Sequence, residues 1–215
     1  MNRIPLAFAV VCCTTLAACT SQAAPGEAAP GLAASALRQD MRMLWSDHVI
    51  WTRSYIVAAI ADAPDQQAAA TRLMRNQDEL GSAIAAYYGE AAGNRMTTLL
   101  KEHISIAVEL VTAARTGNTS GQAEADARWQ QNGVDIADFL SEANPNWPRA
   151  ALVDMMKTHL STTTAEVVAR LGGNWDADVR AFDEAYRHIL MMSDTLADGI
   201  VEQFPDRFSP MVDRR

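Results

Sequence analysis

Leu99-Leu-Lys-Glu-His103-Ile, in the middle of the chain, is the segment that says most about the fold, because it has two near copies. The copies are Leu44-Trp-Ser-Asp-His48-Val and Met155-Met-Lys-Thr-His159-Leu, so the three histidines are 55 and 56 residues apart. In each copy, large apolar residues stand three and four positions before the histidine, which puts them on its face of an α-helix. The pattern predicts three similar units, each with one inward-facing imidazole.

The rest of the chain from residue 35 onward has the same helical spacing of apolar residues, with glycine or proline at each break. Six helices are predicted, over residues 35–62, 65–88, 91–116, 119–143, 148–171 and 175–203. The connections between them are short, so neighbouring helices should run antiparallel. We therefore expect an all-α protein with a six-helix antiparallel bundle.

Carboxylates recur along with the histidines. Glu79 and Asp135 each stand 24 residues before a histidine, and Asp194 would be the third copy. The acids fall on the even-numbered predicted helices and the histidines on the odd-numbered ones. The unit is thus a helical hairpin whose first copy is split between the two ends of the chain, which predicts three repeated hairpins, circularly joined.

Two interpretations of this repeat stay open. A buried imidazole needs a hydrogen-bond partner, so each histidine could bond to the asparagine and acid of the preceding helix and fix the register of the helices. Alternatively, the three neutral imidazoles could meet on an axis and bind a transition metal ion such as Zn²⁺, Cu²⁺ or Fe²⁺. On that hypothesis the metal residues are His48, His103, His159, Glu79, Asp135 and Asp194, with the carboxylates as ligands or as supports for the imidazoles.

His188 falls outside this repeat and marks a secondary candidate. Glu184, Met191 and Met192 share its side of the sixth predicted helix. An imidazole with thioethers can bind Cu(I). Methionine also commonly fills gaps in a core, so packing is the alternative interpretation.

Signatures of enzymes are absent from the sequence. It contains no Gly-x-Ser-x-Gly, His-Glu-x-x-His or Cys-x-x-Cys motif, no phosphate loop and no dinucleotide fingerprint. General acid–base catalysis by His103 with Glu79 would need a cleft that reaches both. The sequence favours a non-catalytic binding protein, most plausibly for a metal ion. The alternative is a structural or partner-binding protein whose histidines and carboxylates only specify the fold.

The N-terminus has the pattern of an export signal. Arg3 is followed by an apolar run over residues 4–18, too short to span a bilayer, and then by Cys19. The end of this run, Leu16-Ala-Ala-Cys19, resembles the lipobox of bacterial lipoproteins. The resemblance implies cleavage before Cys19, acylation of its sulfur and anchoring at the cell envelope. With Thr20 next, it implies the outer membrane, facing the periplasm, in a cell with two membranes.

The domain organisation follows from these features. Residues 19–34 are small and punctuated by proline and glycine, as is typical of a flexible tether. We predict a signal peptide over 1–18, a lipidated tether over 19–34, a helical bundle domain over 35–208 and a C-terminal tail over 209–215.

The charge balance limits the partners. The chain has 18 basic and 26 acidic residues, a net charge of −8, which becomes −9 if Arg3 leaves with the signal peptide. No basic stripe is present, which argues against a nucleic-acid partner. An acidic surface also has no attraction to anionic lipid, so contact with the membrane should be through the lipid anchor alone. No feature of the sequence identifies a protein partner.

Several phrases in the body of the chain resemble an uncharacterised family of exported bacterial helical proteins. They are Leu-Trp-x-x-His-Val-x-Trp-Thr-Arg (44–53), Arg-Asn-Gln-x-x-x-Gly-x-Ala-Ile (75–84), Leu-Leu-Lys-Glu-His-Ile (99–104) and Asn-Pro-Asn-Trp-Pro (144–148). The likeness covers most of residues 44–208. It implies a helical-bundle fold and export but no activity, so it assigns no role to any residue.

Overall fold

The computed structural model of the chain describes residues 30–209, and this part is built from α-helices. The helices are α1 (Pro30–Ala61), α2 (Gln66–Tyr88), α3 (Glu90–Thr116), α4 (Thr119–Ala143), α5 (Arg149–Leu171) and α6 (Trp175–Gln203), followed by a 3₁₀ turn over Pro205–Arg207. The predicted all-α six-helix bundle is confirmed. The predicted signal peptide, Cys19, the predicted tether up to residue 29 and the predicted tail beyond residue 209 lie outside the described residues. No helix between residues 30 and 209 has the length and hydrophobicity of a membrane-spanning segment.

Helix α1 begins at Pro30, earlier than the predicted start at residue 35. Residues 30–34, expected in the tether, therefore belong to the helix. Ala34 and Leu37 are buried in the core, and their packing offsets the entropy lost on ordering an extra turn. A proline is tolerated at the first helical position, because a backbone N–H at that position would have no acceptor within the helix.

Side-chain caps and glycine fix two of the connections. Asn118 caps α4, since its Oδ1 accepts a hydrogen bond from the backbone N–H of Gly121 at 3.1 Å. Gly117 ends α3 with φ of 70°, the left-handed conformation that glycine adopts without strain. Asn174 caps α6 in the same way as Asn118, accepting from the N–H of Ala177 at 3.1 Å. The resulting tight connections reverse the chain between neighbouring helices.

The six helices form a closed ring. Each helix packs against the next one along the chain, and α1 also packs against α6. Helix α1 further contacts α3 and α5, so the odd-numbered helices approach one another at the centre. The largest apolar cluster includes Trp45, Leu100 and Met156, which precede the three histidines of the repeat. A smaller cluster includes Ile56 and Val111, further along the same helices.

Two glycines allow elements to touch closely. A Cβ atom on Gly81 of α2 would lie 1.8 Å from Oγ1 of Thr97 in α3. A Cβ atom on Gly199 of α6 would lie 2.0 Å from the indole Nε1 of Trp147. The backbone carbonyl of Gly199 also accepts a hydrogen bond from Nδ2 of Asn144 at 2.8 Å. The Asn-Pro-Asn-Trp-Pro connection is therefore fastened directly to α6.

Candidate functional site

The three repeated histidines meet in the interior of the bundle. The ring centroids of His48 and His159 are 5.7 Å apart, and those of His103 and His159 are 5.9 Å apart. Their side chains come from α1, α3 and α5 and are 2 to 4% exposed. The three side chains therefore point inward and lie together, as the metal-binding interpretation of the repeat expects. We call these three residues the histidine layer.

His103 is held in one tautomer by Asn132 of α4. The amide Nδ2 of Asn132 donates to the carbonyl oxygen of Leu99 at 3.1 Å, which leaves its Oδ1 as the acceptor for Nδ1 of His103 at 2.7 Å. Nδ1 of His103 therefore carries the proton, and Nε2 keeps a free lone pair. This Nε2 is buried and has no hydrogen-bond partner among residues 30–209. Histidines that bind metal ions usually have this arrangement, in which one ring nitrogen donates to an acceptor and the other keeps its lone pair for the metal.

The other two imidazoles are less firmly held. Nε2 of Gln77 donates to Nδ1 of His48 over 3.4 Å, a long contact, while the same nitrogen donates to the carbonyl of Leu73 at 2.7 Å. Nδ1 of His159 is buried without a hydrogen-bond partner in the described part of the chain. Two ring nitrogens of the histidine layer, one on His103 and one on His159, thus lack partners among residues 30–209.

A threefold set of hydrogen bonds ties each odd-numbered helix to the helix that follows it. Nδ2 of Asn76 donates to the carbonyl of Leu44 at 2.9 Å, and Nε2 of His188 donates to the carbonyl of Met155 at 2.9 Å. The bond from Asn132 to Leu99 is the third member. Each acceptor stands four residues before a histidine of the layer.

His188 thus belongs to the repeat, and the prediction that it stands outside is wrong. Gln77 and Asn132 lie 29 residues after His48 and His103, and His188 lies 29 residues after His159. The spacing of 29 was present in the sequence. It was obscured because the three residues at this position are of three different types.

The expected pairs between histidines and carboxylates do not form among the described residues. Glu79 accepts from Arg72 at 3.1 Å, Asp135 accepts from Gln131 at 2.8 Å, and Asp194 pairs with Arg42. These three acids are partly exposed, and Glu184, proposed beside His188, is fully at the surface.

The reason for this correction is the cost of burying charge. Asn76 and Glu79, like Asn132 and Asp135, are three residues apart, so the two members of each pair point in directions about 60° apart around the helix. A neutral amide loses far less on leaving water than a carboxylate does. The amide therefore takes the inward position, and the acid stays near the surface, where Glu79 pairs with Arg72 and Asp135 accepts from Gln131.

Burial keeps the histidine layer uncharged. Burial, followed by the proximity of His103, lowers the pKa of His48 to about 3. Burial lowers the pKa of His103 to about 4. Burial and the two neighbouring imidazoles hold the pKa of His159 well below its ordinary value. All three are neutral imidazoles near pH 7, the form that binds metal ions.

A cavity of about 20 Å³ touches all three histidines. It is also lined by Met96, Met156 and Met192, together with Trp45, Leu100, Ile136, Leu140, Leu152 and Leu196. Space of this size holds one water molecule or one metal ion. Met191, the neighbour of Met192, is instead 57% exposed.

The rings as they stand are not yet in coordinating positions. Within residues 30–209, no group of three or more His, Cys, Asp or Glu side chains has the geometry to hold a metal ion. Bonds near 2 Å to a tetrahedral ion would place imidazole centroids about 5 Å apart. His159 would have to approach each neighbour by about 0.7 to 0.9 Å, with some rotation of the rings, to reach such an arrangement.

A second buried polar cluster was not predicted. Arg53 donates to Glu166 at 2.7 Å and to Asp178 at 2.9 Å, and Arg170 donates to Asp178 at 3.0 Å. Both carboxylates are almost fully buried, and the guanidinium of Arg53 lies 4.7 Å from the ring centre of Phe182. Burial raises the pKa of Glu166 to about 7, against the opposing charge of Arg53. Burial also acts to raise the pKa of Asp178, but hydrogen bonds from the two arginines lower it overall.

Comparisons of the chain with protein-family models, with curated proteins and with solved structures found no match. The chemistry of the site therefore follows from its own side chains. It offers three neutral imidazoles and three thioethers around one small, largely apolar cavity.

Proposed function

We propose that this chain is a non-catalytic binding protein that holds one transition metal ion between His48, His103 and His159. The observation that supports this best is the pair of buried ring nitrogens, Nε2 of His103 and Nδ1 of His159, that lack hydrogen-bond partners in the described region. An unpaired buried polar atom costs about 1 to 3 kcal/mol. A bound ion would satisfy both nitrogens at once.

Among Zn²⁺, Fe²⁺ and copper, copper fits the donor set best. Neutral imidazoles suit all three metals, whereas thioether sulfur favours Cu(I). Met96, Met156 and Met192 line the same cavity as the histidines. The partly exposed carboxylates Glu79 and Asp135 are engaged elsewhere, which disfavours hard, oxygen-seeking cations.

The test is a competition titration with a chromophoric chelator, on protein purified without a histidine tag. We expect one Cu(I) per chain, and Zn²⁺ binding more weakly. His103→Gln should abolish stoichiometric binding. Asn132→Leu, which removes the group that orients His103, should weaken it by about 10-fold to 100-fold.

Adjacent methionines provide a matched control. Met192→Leu should weaken Cu(I) binding at least about tenfold while leaving Zn²⁺ binding unchanged, because it removes a soft ligand only. Met191→Leu should change neither, since that side chain is at the surface. Circular dichroism of every variant checks that it is folded. A folded wild type that takes up no stoichiometric metal, or equal binding by His103→Gln, would overturn the proposal.

One observation favours a second candidate, a structural role for the polar layer. Asn76, Asn132 and His188 each fasten one helix to the preceding helix through a backbone carbonyl. Such links specify how far one helix slides along another, and they need no ligand. If the wild type is metal-free and the variants lose stability only, this role is the one that remains.

For the N-terminal region, we propose that Cys19 is acylated and anchors the protein at the cell envelope, facing the periplasm in a cell with two membranes. The support is the apolar run that ends in Leu16-Ala-Ala-Cys19. Metabolic labelling with palmitate should mark the wild type and not Cys19→Ser. An unlabelled wild type would refute the anchor.

A further inference from the structure

A second and much larger cavity, of about 460 Å³, lies beyond the histidine layer on the axis of the three odd-numbered helices. Its walls include Thr52, Ala107 and Thr163, each four residues after a histidine, and Ile56, Val111 and Val167, each eight residues after. Four residues of helix rise about 6 Å. The cavity therefore begins one turn past the imidazoles, toward the C-terminal ends of α1, α3 and α5. We call it the axial cavity.

The axial cavity opens to solvent through an apolar rim. Val168 and Leu171, at the end of α5, line it and are 59% and 38% exposed. The exposed residues Thr119 and Gln122 of α4 lie on its other side. A volume of several hundred Å³ with mostly aliphatic walls is typical of a small-molecule site.

A buried polar group in its wall lacks a partner. Trp129 lines the cavity and is 3% exposed, and its indole Nε1 makes no hydrogen bond to any residue in the range 30–209. The hydroxyl of Tyr55, by contrast, lies near Thr112 and Gln66, which are not part of the cavity wall. The indole N–H is a donor, so a bound molecule with a hydrogen-bond acceptor would satisfy it.

The charges at the cavity exclude some ligand classes. Asp126 is its one charged wall residue within the described chain, and no lysine, arginine or histidine is among the lining residues there. An anionic head group such as a carboxylate or phosphate would meet a like charge and no cation. An anionic ligand is therefore disfavoured, and the mostly aliphatic walls favour an uncharged molecule over a cation, whose charge would lose its hydration there.

We propose that the axial cavity binds a small, uncharged, mainly aliphatic molecule that carries one carbonyl or similar acceptor. The acceptor takes a hydrogen bond from Nε1 of Trp129, and the aliphatic part fills the space between Ile56, Val111 and Val167. This site does not depend on the proposed metal. It shares the central helices with the histidine layer but none of its side chains.

The test uses four probes, 2-octanone, 2-decanone, decane and decanoate, titrated by saturation-transfer NMR into metal-free protein. Each added methylene should raise affinity about fourfold, so 2-decanone should bind about 15-fold more tightly than 2-octanone. Decanoate should bind more weakly than 2-decanone. The proposal would be overturned if decanoate bound most tightly, or if the dissociation constant of 2-decanone were above about 1 mM.

Variants then test the wall groups. Trp129→Phe removes the donor and keeps an aromatic ring, so it should weaken 2-decanone binding about fivefold relative to decane binding. Val168→Asp should weaken the binding of both decane and 2-decanone, because it places a second negative charge at the rim of the cavity. Val179→Asp is the matched control, because Val179 is similarly exposed, at 53%, and lies outside the cavity. Equal effects of the two aspartates, or equal losses for decane and 2-decanone in Trp129→Phe, would refute the assignment.

Discussion

Lowering the pH from 7 to 5 should destabilise this protein strongly, because the histidine layer cannot accept protons while folded. The folded-state pKa values of His48 and His103 are about 3 and about 4, and that of His159 is also well below 6.5. The unfolded chain binds protons at these sites with pKa near 6.5, so stability is present above that pH and is lost as the pH falls. At pH 5 each histidine costs about 2 kcal/mol, or roughly 6 kcal/mol for three.

Glu166 opposes this loss. Its folded-state pKa of about 7 lies above the unfolded value of 4.5, so the folded state takes up a proton first as the pH falls. Between pH 7 and 5, protonation of Glu166 raises the free energy of unfolding by about 2 kcal/mol. Asp178 and Asp194 have lowered pKa values and lose their contribution only at lower pH, outside this window. A net loss of roughly 4 kcal/mol remains, a large part of the 5 to 15 kcal/mol typical of a domain.

The assay is urea unfolding at pH 7, 6 and 5 with a chelator present, followed by far-UV circular dichroism. His103→Gln removes one titrating group, so its loss of stability between pH 7 and 5 should be about 2 kcal/mol smaller than that of the wild type. NMR of the imidazole nitrogens should show the folded layer unprotonated at pH 5. Stability that is independent of pH in the wild type, or the same pH dependence in His103→Gln, would refute the reasoning.

Three substitutions probe packing and polar contacts through the free energy of unfolding in urea. Gly199→Ala should cost about 1 to 3 kcal/mol, because the new Cβ meets the indole of Trp147; an unchanged midpoint would contradict this contact. Asn132→Ala should cost about 1 to 3 kcal/mol by leaving a buried N–H unpaired, whereas its exposed neighbour Gln131→Ala should stay within about 0.5 kcal/mol. Arg53→Met should cost about 3 to 5 kcal/mol, because it leaves buried Glu166 without a paired cation and Asp178 with Arg170 alone, and a loss below about 1 kcal/mol would show that Glu166 is solvated.

The fold could be predicted from the sequence because its signals are local. Apolar residues at helical spacing give the helices, and glycine or proline gives the breaks, as at Gly117, where a left-handed residue ends α3. The start of α1 could not be placed in this way. Its first turn is ordered by the burial of Ala34 and Leu37 against other helices, which is a tertiary effect.

The site could be predicted only in part. The convergence of His48, His103 and His159 follows from the repeat. Their hydrogen-bond partners depend on whether a carboxylate or a neutral amide loses less free energy when it leaves water. The spacing of 24 residues to an acid and that of 29 to an amide or imidazole both exist in the sequence. The acid lies on the helix before each histidine, and the residue at a spacing of 29 lies on the helix after it, so His103 bonds to the following helix and not to the preceding one as expected. The cost of burying a carboxylate explains why the acid is not the partner.

The cluster around Arg53 and Glu166 illustrates the other limit of sequence analysis. These residues are 113 positions apart, and no local pattern joins them. One signal was available: Glu166 follows His159 by seven residues, as Tyr55 follows His48, so an acid occupies an inward position of the repeat. An arginine from another helix had to compensate the charge of this buried carboxylate.

Each hairpin contributes one imidazole to a centre that no single hairpin can build. Were the three hairpins separate molecules, assembly would be third-order and would fail on dilution. Covalent linkage converts it into a folding step within one chain, at an effective concentration set by the short connections. Formation of the centre should therefore be independent of protein concentration.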